Sequence, residues 1–117
     1  MLPRRLFLFF FCLCGTAHAH GDLVPKRSGI VAWAQELSIE FVQGEDGKIS
    51  LWIDDHGMPV DVSGAEGVFT VNESHHELQV RSAEVLEAHL SPLAPNDRVV
   101  VVFKLATGMV GRARILP

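Results

Sequence analysis

Residues 37–54 have the sequence LSIEFVQGEDGKISLWID, which carries the clearest strand pattern in the chain. Apolar and polar residues alternate strictly through residues 37–41, which is typical of a half-buried β-strand. Gly44 to Gly47 supplies two residues suited to positive φ, as a tight turn requires. The alternation then resumes in residues 48–54. The stretch therefore predicts a β-hairpin with one face in the core.

Short apolar segments separated by turn residues continue on both sides of this hairpin. Residues 85–90 fit either a short strand or a single helical turn. No segment shows a sustained helical period, and there are no internal repeats. About seven short strands in succession predict an all-β fold, namely a small antiparallel, immunoglobulin-like β-sandwich. The other predicted strands are residues 29–34, 68–71, a returning strand through Leu78 and Val80, residues 99–105 and a last strand ending at Ile115.

The predicted core consists of the inward residues of the strands with the clearest patterns. Each of them alternates with polar neighbours or lies in the β-branched run of residues 99–105. These residues are Leu37, Ile39, Phe41, Ile49, Leu51, Ile53, Val101 and Phe103.

The first 19 residues have the three zones of a cleavable secretory signal peptide. Arg4 and Arg5 carry the only early charges, residues 6–14 are apolar without interruption, and Ala17-His18-Ala19 matches a cleavage site. The apolar run is far shorter than the ~20 residues of a membrane-spanning helix. The arginine pair also resembles a twin-arginine signal, although the strongly apolar segment after it favours the general secretory route. Cys14 is a poor lipidation site, because a small residue should precede it.

This interpretation divides the chain into three parts. We expect a signal peptide in residues 1–19, an N-terminal arm in residues 20–28 and a β-sandwich domain in residues 29–117. Cleavage would leave 98 of the 117 residues, which is enough for one domain. The expected product is a periplasmic protein without membrane insertion.

The composition of the expected mature chain limits its chemistry. Both cysteines, Cys12 and Cys14, lie in the signal peptide, so the domain has no disulfide and no thiolate ligand. Eight Lys and Arg residues remain against 14 Asp and Glu residues, which gives a formal net charge of −6. A chain of that sign is a poor partner for nucleic acid or an anionic membrane, and it is compatible with cations.

Cleavage would make His20 the first residue, and this creates a candidate metal site. The free α-amine and the imidazole of His20 can bind one ion and close a chelate ring. Nitrogen donors of this kind suit Cu(II), Ni(II) or Zn(II), with Cu(II) bound most tightly. Asp22 can add an oxygen ligand. The alternative is that His20 is simply the residue at which the peptidase cuts.

The second candidate site lies in residues 52–59. Alternation places Trp52, Asp54 and His56 on one face, opposite the core row, with Met58 in the following turn. Imidazole, carboxylate and thioether groups close together suit copper, and a tryptophan ring can hold a cation. The alternative is structural, because Asp-His-Gly favours a turn and Trp52 can cover the sheet.

The remaining histidines give no further candidate site, and the chain lacks known catalytic motifs. His75 and His76 are expected in a solvated hairpin turn, and His89 at the surface. The chain lacks the sequence motifs of serine hydrolases, zinc proteases and phosphate-binding loops. Asp54 and Asp55 are adjacent on a strand, so they point apart and do not form a shared-proton pair. We therefore expect a protein that is not an enzyme.

Several short motifs occur in an order that resembles a family of small periplasmic proteins of Gram-negative bacteria. Members of that family accompany copper and heavy-metal efflux or resistance systems, so the resemblance implies a role in metal handling. The residues that carry it are His20-Gly21-Asp22, Pro25, Gly29-Ile30-Val31, residues 37–41, Asp55-His56-Gly57-Met58-Pro59-Val60, Gly64-Ala65 and Leu93-Ala94-Pro95.

The chain departs from this family at one place. Members often carry His-Gly-Gly where this chain has Arg27-Ser28-Gly29, and a cationic Arg27 cannot bind a metal ion. A metal ligand that relatives have at this position would therefore be lost here. The logic of the site is also similar to that of small copper-resistance β-sandwiches with an N-terminal histidine ligand.

Together these patterns predict a periplasmic protein that binds copper and buffers it or delivers it to an efflux-pump component. The predicted ligands and their neighbours are His20, Asp22, His56, Met58, Asp54 and Trp52. The rival hypothesis is an immunoglobulin-like interaction module that docks on an envelope complex without metal.

Overall fold

Alternation of apolar and polar residues produces strands along most of the chain. The computed structural model describes residues 24–44 and 46–117, and in this part every regular element is a β-strand. The predicted all-β sandwich is therefore confirmed. The strands are β1 (Ile30–Ala34), β2 (Leu37–Gln43), β3 (Lys48–Asp55), β4 (Met58–Pro59), β5 (Glu66–Val71), β6 (Ser74–Glu77), β7 (Gln79–Ser82), β8 (Val85–His89), β9 (Val99–Lys104) and β10 (Val110–Ile115).

These strands form two antiparallel sheets whose apolar faces pack together. Sheet A has the order β1-β2-β3-β8-β7, with the short β4 paired to the end of β3. Sheet B has the order β10-β9-β5-β6. Among the described residues there is no helix of the length and apolarity needed to cross a membrane.

The hairpin predicted from residues 37–54 is the centre of sheet A. Strands β2 and β3 pair in a register that sets Ile39 opposite Ile53. Phe41 stacks on Phe69 of sheet B with 5.6 Å between ring centroids, which links the two layers. All eight predicted core residues are buried, so the assignment of the inward face is confirmed.

The returning strand predicted through Leu78 and Val80 is interrupted. The chain leaves sheet B after β6 and enters sheet A as β7, so it forms an edge of both sheets. Leu78 marks the crossing: its side chain is buried, and its N–H donates to the Gly67 carbonyl at 2.9 Å. This division, together with the two-residue β4, helps to explain why the described residues form ten strands instead of about seven.

The segment at residues 85–90 is a strand. Strand β8 pairs with β3 on one side and with β7 on the other. Its inward residues Leu86 and Ala88 are buried in the core. This pairing on both sides selects the extended backbone over the helical turn.

Candidate functional site

The outer face of sheet A carries the polar residues that alternate with the core row. Glu40 on β2 lies directly opposite Trp52 on β3, and Ser38 lies opposite Asp54. The prediction that Trp52 and Asp54 share the outward face is therefore confirmed. Both carboxylates are nevertheless buried, with Glu40 only 3% and Asp54 only 6% exposed.

The N-terminal arm binds this face through the carboxylate of Glu40. The backbone N–H groups of Lys26, Arg27 and Gly29 donate to Glu40 at 3.0, 2.7 and 2.9 Å. Ser28, between the arm and β1, has a φ of 60°, in the left-handed region. A side chain at position 29 would collide with the Phe41 carbonyl oxygen, so glycine is required there.

Arg27 completes this anchor with its side chain. Its guanidinium donates to Glu40 at 2.8 Å and lies 4.6 Å from the centroid of the Trp52 ring. It also approaches Asp54 Oδ2 at 4.0 Å. The Trp52 ring, which was considered as a face able to hold a cation, thus contacts a guanidinium of the same chain.

The environment of Glu40 favours its charged form. Burial raises the pKa of Glu40, but hydrogen bonds from the N–H groups of Gly29, Arg27 and Lys26 and from the Arg27 guanidinium outweigh it. The pKa is therefore below the ordinary value of 4.5. The charge of Glu40 is part of the structural link between the arm and the sheet.

Asp54 has one oxygen in contact with the arm and one without a partner. Its Oδ2 lies 3.5 Å from the Lys26 ammonium. Its Oδ1 is buried and has no hydrogen-bond partner among the described residues. A desolvated carboxylate oxygen without a partner is costly, so Asp54 retains capacity for one more donor or a cation.

The predicted ligands His56 and Met58 lie in the hairpin that joins β3 to β4. His56 and Gly57 have φ values of 52° and 86°, as a two-residue type I′ turn requires, and Asp55 pairs with Met58 across it. The His56 side chain is 79% exposed, and Met58 is 68% exposed. The strand alternation therefore ends before His56, which belongs to the turn.

Asp55 and His56 form the closest pair of metal-capable groups at this tip. His56 Nδ1 lies 2.6 Å from Asp55 Oδ1. Because a carboxylate can only accept, this hydrogen bond places the proton on Nδ1. The lone pair of Nε2 is then available to a metal ion. Metal-binding histidines in proteins are commonly oriented by a carboxylate in this way.

The described residues contain no group of three or more His, Cys, Asp or Glu side chains able to hold a metal ion. His20 and Asp22 lie outside the described residues. The hairpin tip thus provides a histidine–carboxylate pair.

Lys26 connects the arm to this tip. Its ammonium donates to the Gly57 carbonyl at 2.9 Å, next to His56 in the turn. Sequence analysis missed Glu40 and Lys26, because both read as ordinary solvated charges. Their only signal was indirect: a basic pair precedes a strongly patterned strand that carries one acidic residue.

His75 and His89 are exposed as expected, but His75 and His76 belong to strand β6 and not to the turn before it. His75 Nδ1 lies 3.0 Å from the Thr70 hydroxyl, in the β5–β6 hairpin. His89 is exposed at the end of β8, whereas His76 is half-buried. No described metal-capable group surrounds any of them.

A groove opens at the point where the chain crosses between the sheets. It has a volume of about 750 Å³ and lies between β5, β9 and the crossing segment. Four of its residues are apolar and exposed: Val68, Val80, Val102 and Val110.

Comparison of the chain with protein families, curated proteins and solved structures gives no match.

Proposed function

We propose that this protein binds a transition-metal ion, with copper as the first candidate, and buffers it or passes it to an efflux system in the periplasm. The observation that supports this best is the contact between Lys26 and Gly57, because it brings the arm to the hairpin that carries Asp55 and His56. The described part of the arm thus reaches the end of sheet A that carries the second predicted site.

The length of the arm is compatible with a shared site. His20 precedes Lys26 by six residues, which can span at most about 20 Å. The α-amine and ring of His20 would supply two nitrogen donors, and His56 Nε2 a third. A carboxylate such as Asp22 would complete a set that suits Cu(II), whereas the Met58 thioether would favour Cu(I).

The cellular role follows from the resemblance to proteins of copper and heavy-metal resistance systems. The expected export signal and the absence of a thiol ligand in the mature chain fit a periplasmic site built from imidazole, amine and carboxylate groups. A partially exposed site of this kind exchanges its ion readily, which suits buffering or delivery.

A copper titration of protein that begins at His20, with no tag residue before it, tests the proposal. The matched control carries one extra residue ahead of His20, which keeps the imidazole and displaces the amine. We expect the extension to weaken Cu(II) binding by more than about tenfold, or ~1.4 kcal/mol. Binding should also weaken as the pH falls through the histidine range, because protons compete for the donors.

Two results would contradict the proposal at different levels. If the extended protein binds Cu(II) as tightly as the native one, the N-terminal chelate is wrong. If no form binds copper more tightly than about millimolar, metal binding as a whole is wrong.

The groove at the sheet crossing favours the rival function, a non-metal interaction module. Exposed apolar residues beside a groove are typical of docking surfaces. Copper tolerance of producing cells separates the two functions. If only the replacement of His56 abolishes copper tolerance, metal binding is supported. If only the replacement of Val68 and Val102 by serine abolishes it, docking is supported.

A further inference from the structure

We infer that the outer face of sheet B binds the same face of a second copy of this chain, which gives a symmetric dimer. This face consists of the residues of β10, β9, β5 and β6 that alternate with the buried row. The described residues of the metal-binding proposal belong instead to sheet A and the arm. The inference therefore goes beyond that proposal and does not depend on it.

The centre of the outer face of sheet B is apolar. Val102 on β9 and Val68 on β5 lie directly opposite each other and are 39% and 37% exposed. Val110 on β10 and Val80 on β7 are also exposed, and both border the groove at the sheet crossing. Exposed apolar side chains that lie next to one another on a sheet are typical of surfaces that bind another protein.

Charges of opposite sign lie on the two sides of this centre. Arg112 and Arg114 lie on β10 at one edge of the sheet, whereas Glu77 lies on β6 at the other edge. Between these edges, Lys104 on β9 lies opposite Glu66 on β5. All five side chains are exposed, and none forms an ion pair with another described residue. The face is thus basic on its β10–β9 side and acidic on its β5–β6 side.

This distribution makes the face complementary to itself about one particular two-fold axis. The axis runs along the strands between β9 and β5, in the plane of the interface, so it places β10 over β6 and β9 over β5 of the second copy. Stacked sheets keep their strands within about 30° of each other, so the central rows stay in contact. The pairs between copies are Arg112 with Glu77, Lys104 with Glu66, and Val102 with Val68. Each pair occurs twice, as in any isologous interface.

The charges also disfavour the other symmetric arrangement of the two faces. A two-fold axis across the strands would lay β10 on β10 and β6 on β6. Arg112 and Arg114 would then face the same two residues of the second copy, and Glu77 would face Glu77. Like charges brought together at an interface are costly. The charge pattern therefore selects the axis along the strands.

The size of the face predicts a weak dimer. Strands β5, β9 and β10 each have six residues, and β6 has four. With strands about 4.8 Å apart, the face has a flat area of roughly 400 Å² on each copy. This is small beside the ~800 Å² per partner of a standard interface. We expect a dissociation constant in the micromolar range, about 1–100 µM.

Sedimentation velocity over a series of protein concentrations tests the dimer, with a chelator present so that no metal ion can join two copies. Arg112→Glu and Glu77→Arg should each raise the dissociation constant by at least about tenfold, because each reversal puts like charges together at two places. Lys48→Glu makes the same reversal of charge on β3 of sheet A. It is the matched control and should leave the dissociation constant unchanged.

An equimolar mixture of the two weakened variants provides the sharpest test. In a dimer of one Arg112→Glu copy with one Glu77→Arg copy, both charge pairs again have opposite signs. The mixture should therefore dimerise about as well as the unsubstituted protein. Within one chain, positions 112 and 77 are three strand spacings apart, or about 14 Å, so the recovery cannot arise inside a single copy. Lys104→Glu and Glu66→Lys form a second pair of variants with the same expectation.

Three results would overturn the inference. One is an unsubstituted protein that remains monomeric at about 1 mM, since the face would then be open to a different protein or to none. Another is a dimer that withstands both reversals, because it would use another surface. The third is a loss in both variants without recovery in either mixture, since the paired charges would then not meet. None of these results bears on copper binding, which is measured separately.

Discussion

The ammonium group of Lys26 donates a hydrogen bond of 2.9 Å to the carbonyl oxygen of Gly57, 31 residues further along the chain. This contact joins the N-terminal arm to the turn between β3 and β4. Because the arm covers Glu40 and Asp54, two acidic side chains on the outer face of sheet A become buried. The arm is thus part of the folded domain from Lys26 onward.

The aromatic rings buried between the two sheets should be sensitive to truncation. Phe41→Ala and Phe103→Ala should each lower the free energy of unfolding by about 3–5 kcal/mol, because each removes a buried ring. Val102→Ala, on the exposed face of β9, is the control and should cost under about 1 kcal/mol. Chemical denaturation measures all three. Losses below about 1 kcal/mol at both phenylalanines would contradict the assigned faces.

The Phe103 ring lies over Gly111, its cross-strand partner, and leaves no space for a side chain there. Gly111→Ala should therefore lower the free energy of unfolding by about 1–3 kcal/mol through overpacking. Val110→Ala, on the exposed face of the same strand, serves as control. Thermal unfolding of the two variants checks the prediction, and equal midpoints would refute it.

Stability should fall in acid partly because of Glu40. Its pKa is lower in the folded protein than the ordinary value of 4.5, so its contribution is complete above that value and is lost as the pH falls through the folded pKa. Glu40→Gln should remove this part of the slope and cost about 1–3 kcal/mol at neutral pH. In this variant, the free energy of unfolding should still fall somewhat in acid, because of Asp61 and Asp97. The pKa values of both are also lowered by hydrogen bonds from backbone N–H groups.

Urea denaturation at a series of pH values between neutrality and acid checks this prediction. Glu87→Gln, on β8 beside Arg81, is the matched control for the loss of one carboxylate from sheet A. An unchanged slope in Glu40→Gln would show that the arm does not depend on the charge.

Two substitutions distinguish the role of His56 as a metal ligand from its role in the turn. Asparagine accepts positive φ as well as histidine does, so His56→Asn should change the free energy of unfolding by less than about 0.5 kcal/mol. Its affinity for Cu(II) should nevertheless fall, because Nε2 is gone. His56→Val should cost about 1–3 kcal/mol, since a β-branched residue is strained at this φ.

Isothermal titration with copper and denaturation of the same samples measure both effects. His75→Ala and His89→Ala are the controls and should bind copper as the unsubstituted protein does. If His56→Asn binds copper equally well, the hairpin tip contributes no ligand.

Export should produce a protein that starts at His20. The expected cleavage follows Ala17-His18-Ala19, which comes after an apolar segment of suitable length. Intact-mass measurement on protein from the periplasm checks this. A different first residue, or an acyl group on Cys14, would remove the basis of the N-terminal chelate.

Sequence alone was sufficient for the features that depend on local periodicity. The alternation in residues 37–54 identified the central hairpin, the inward row and the outward position of Trp52 and Asp54. Side chains in a strand point alternately to the two faces, so a pattern within one segment reports the face directly. The all-β class followed from the repetition of such segments.

Tertiary structure decided what depends on distant segments. Glu40 and Asp54 have the pattern of solvated residues, and the arm buries them. The arm is held through Arg27, which precedes Glu40 by 13 residues in the chain. The switch of sheets at Leu78 likewise depends on which edges the sandwich leaves open. A period-two pattern specifies the two faces of a strand, but it contains no information about which segment covers the outer one.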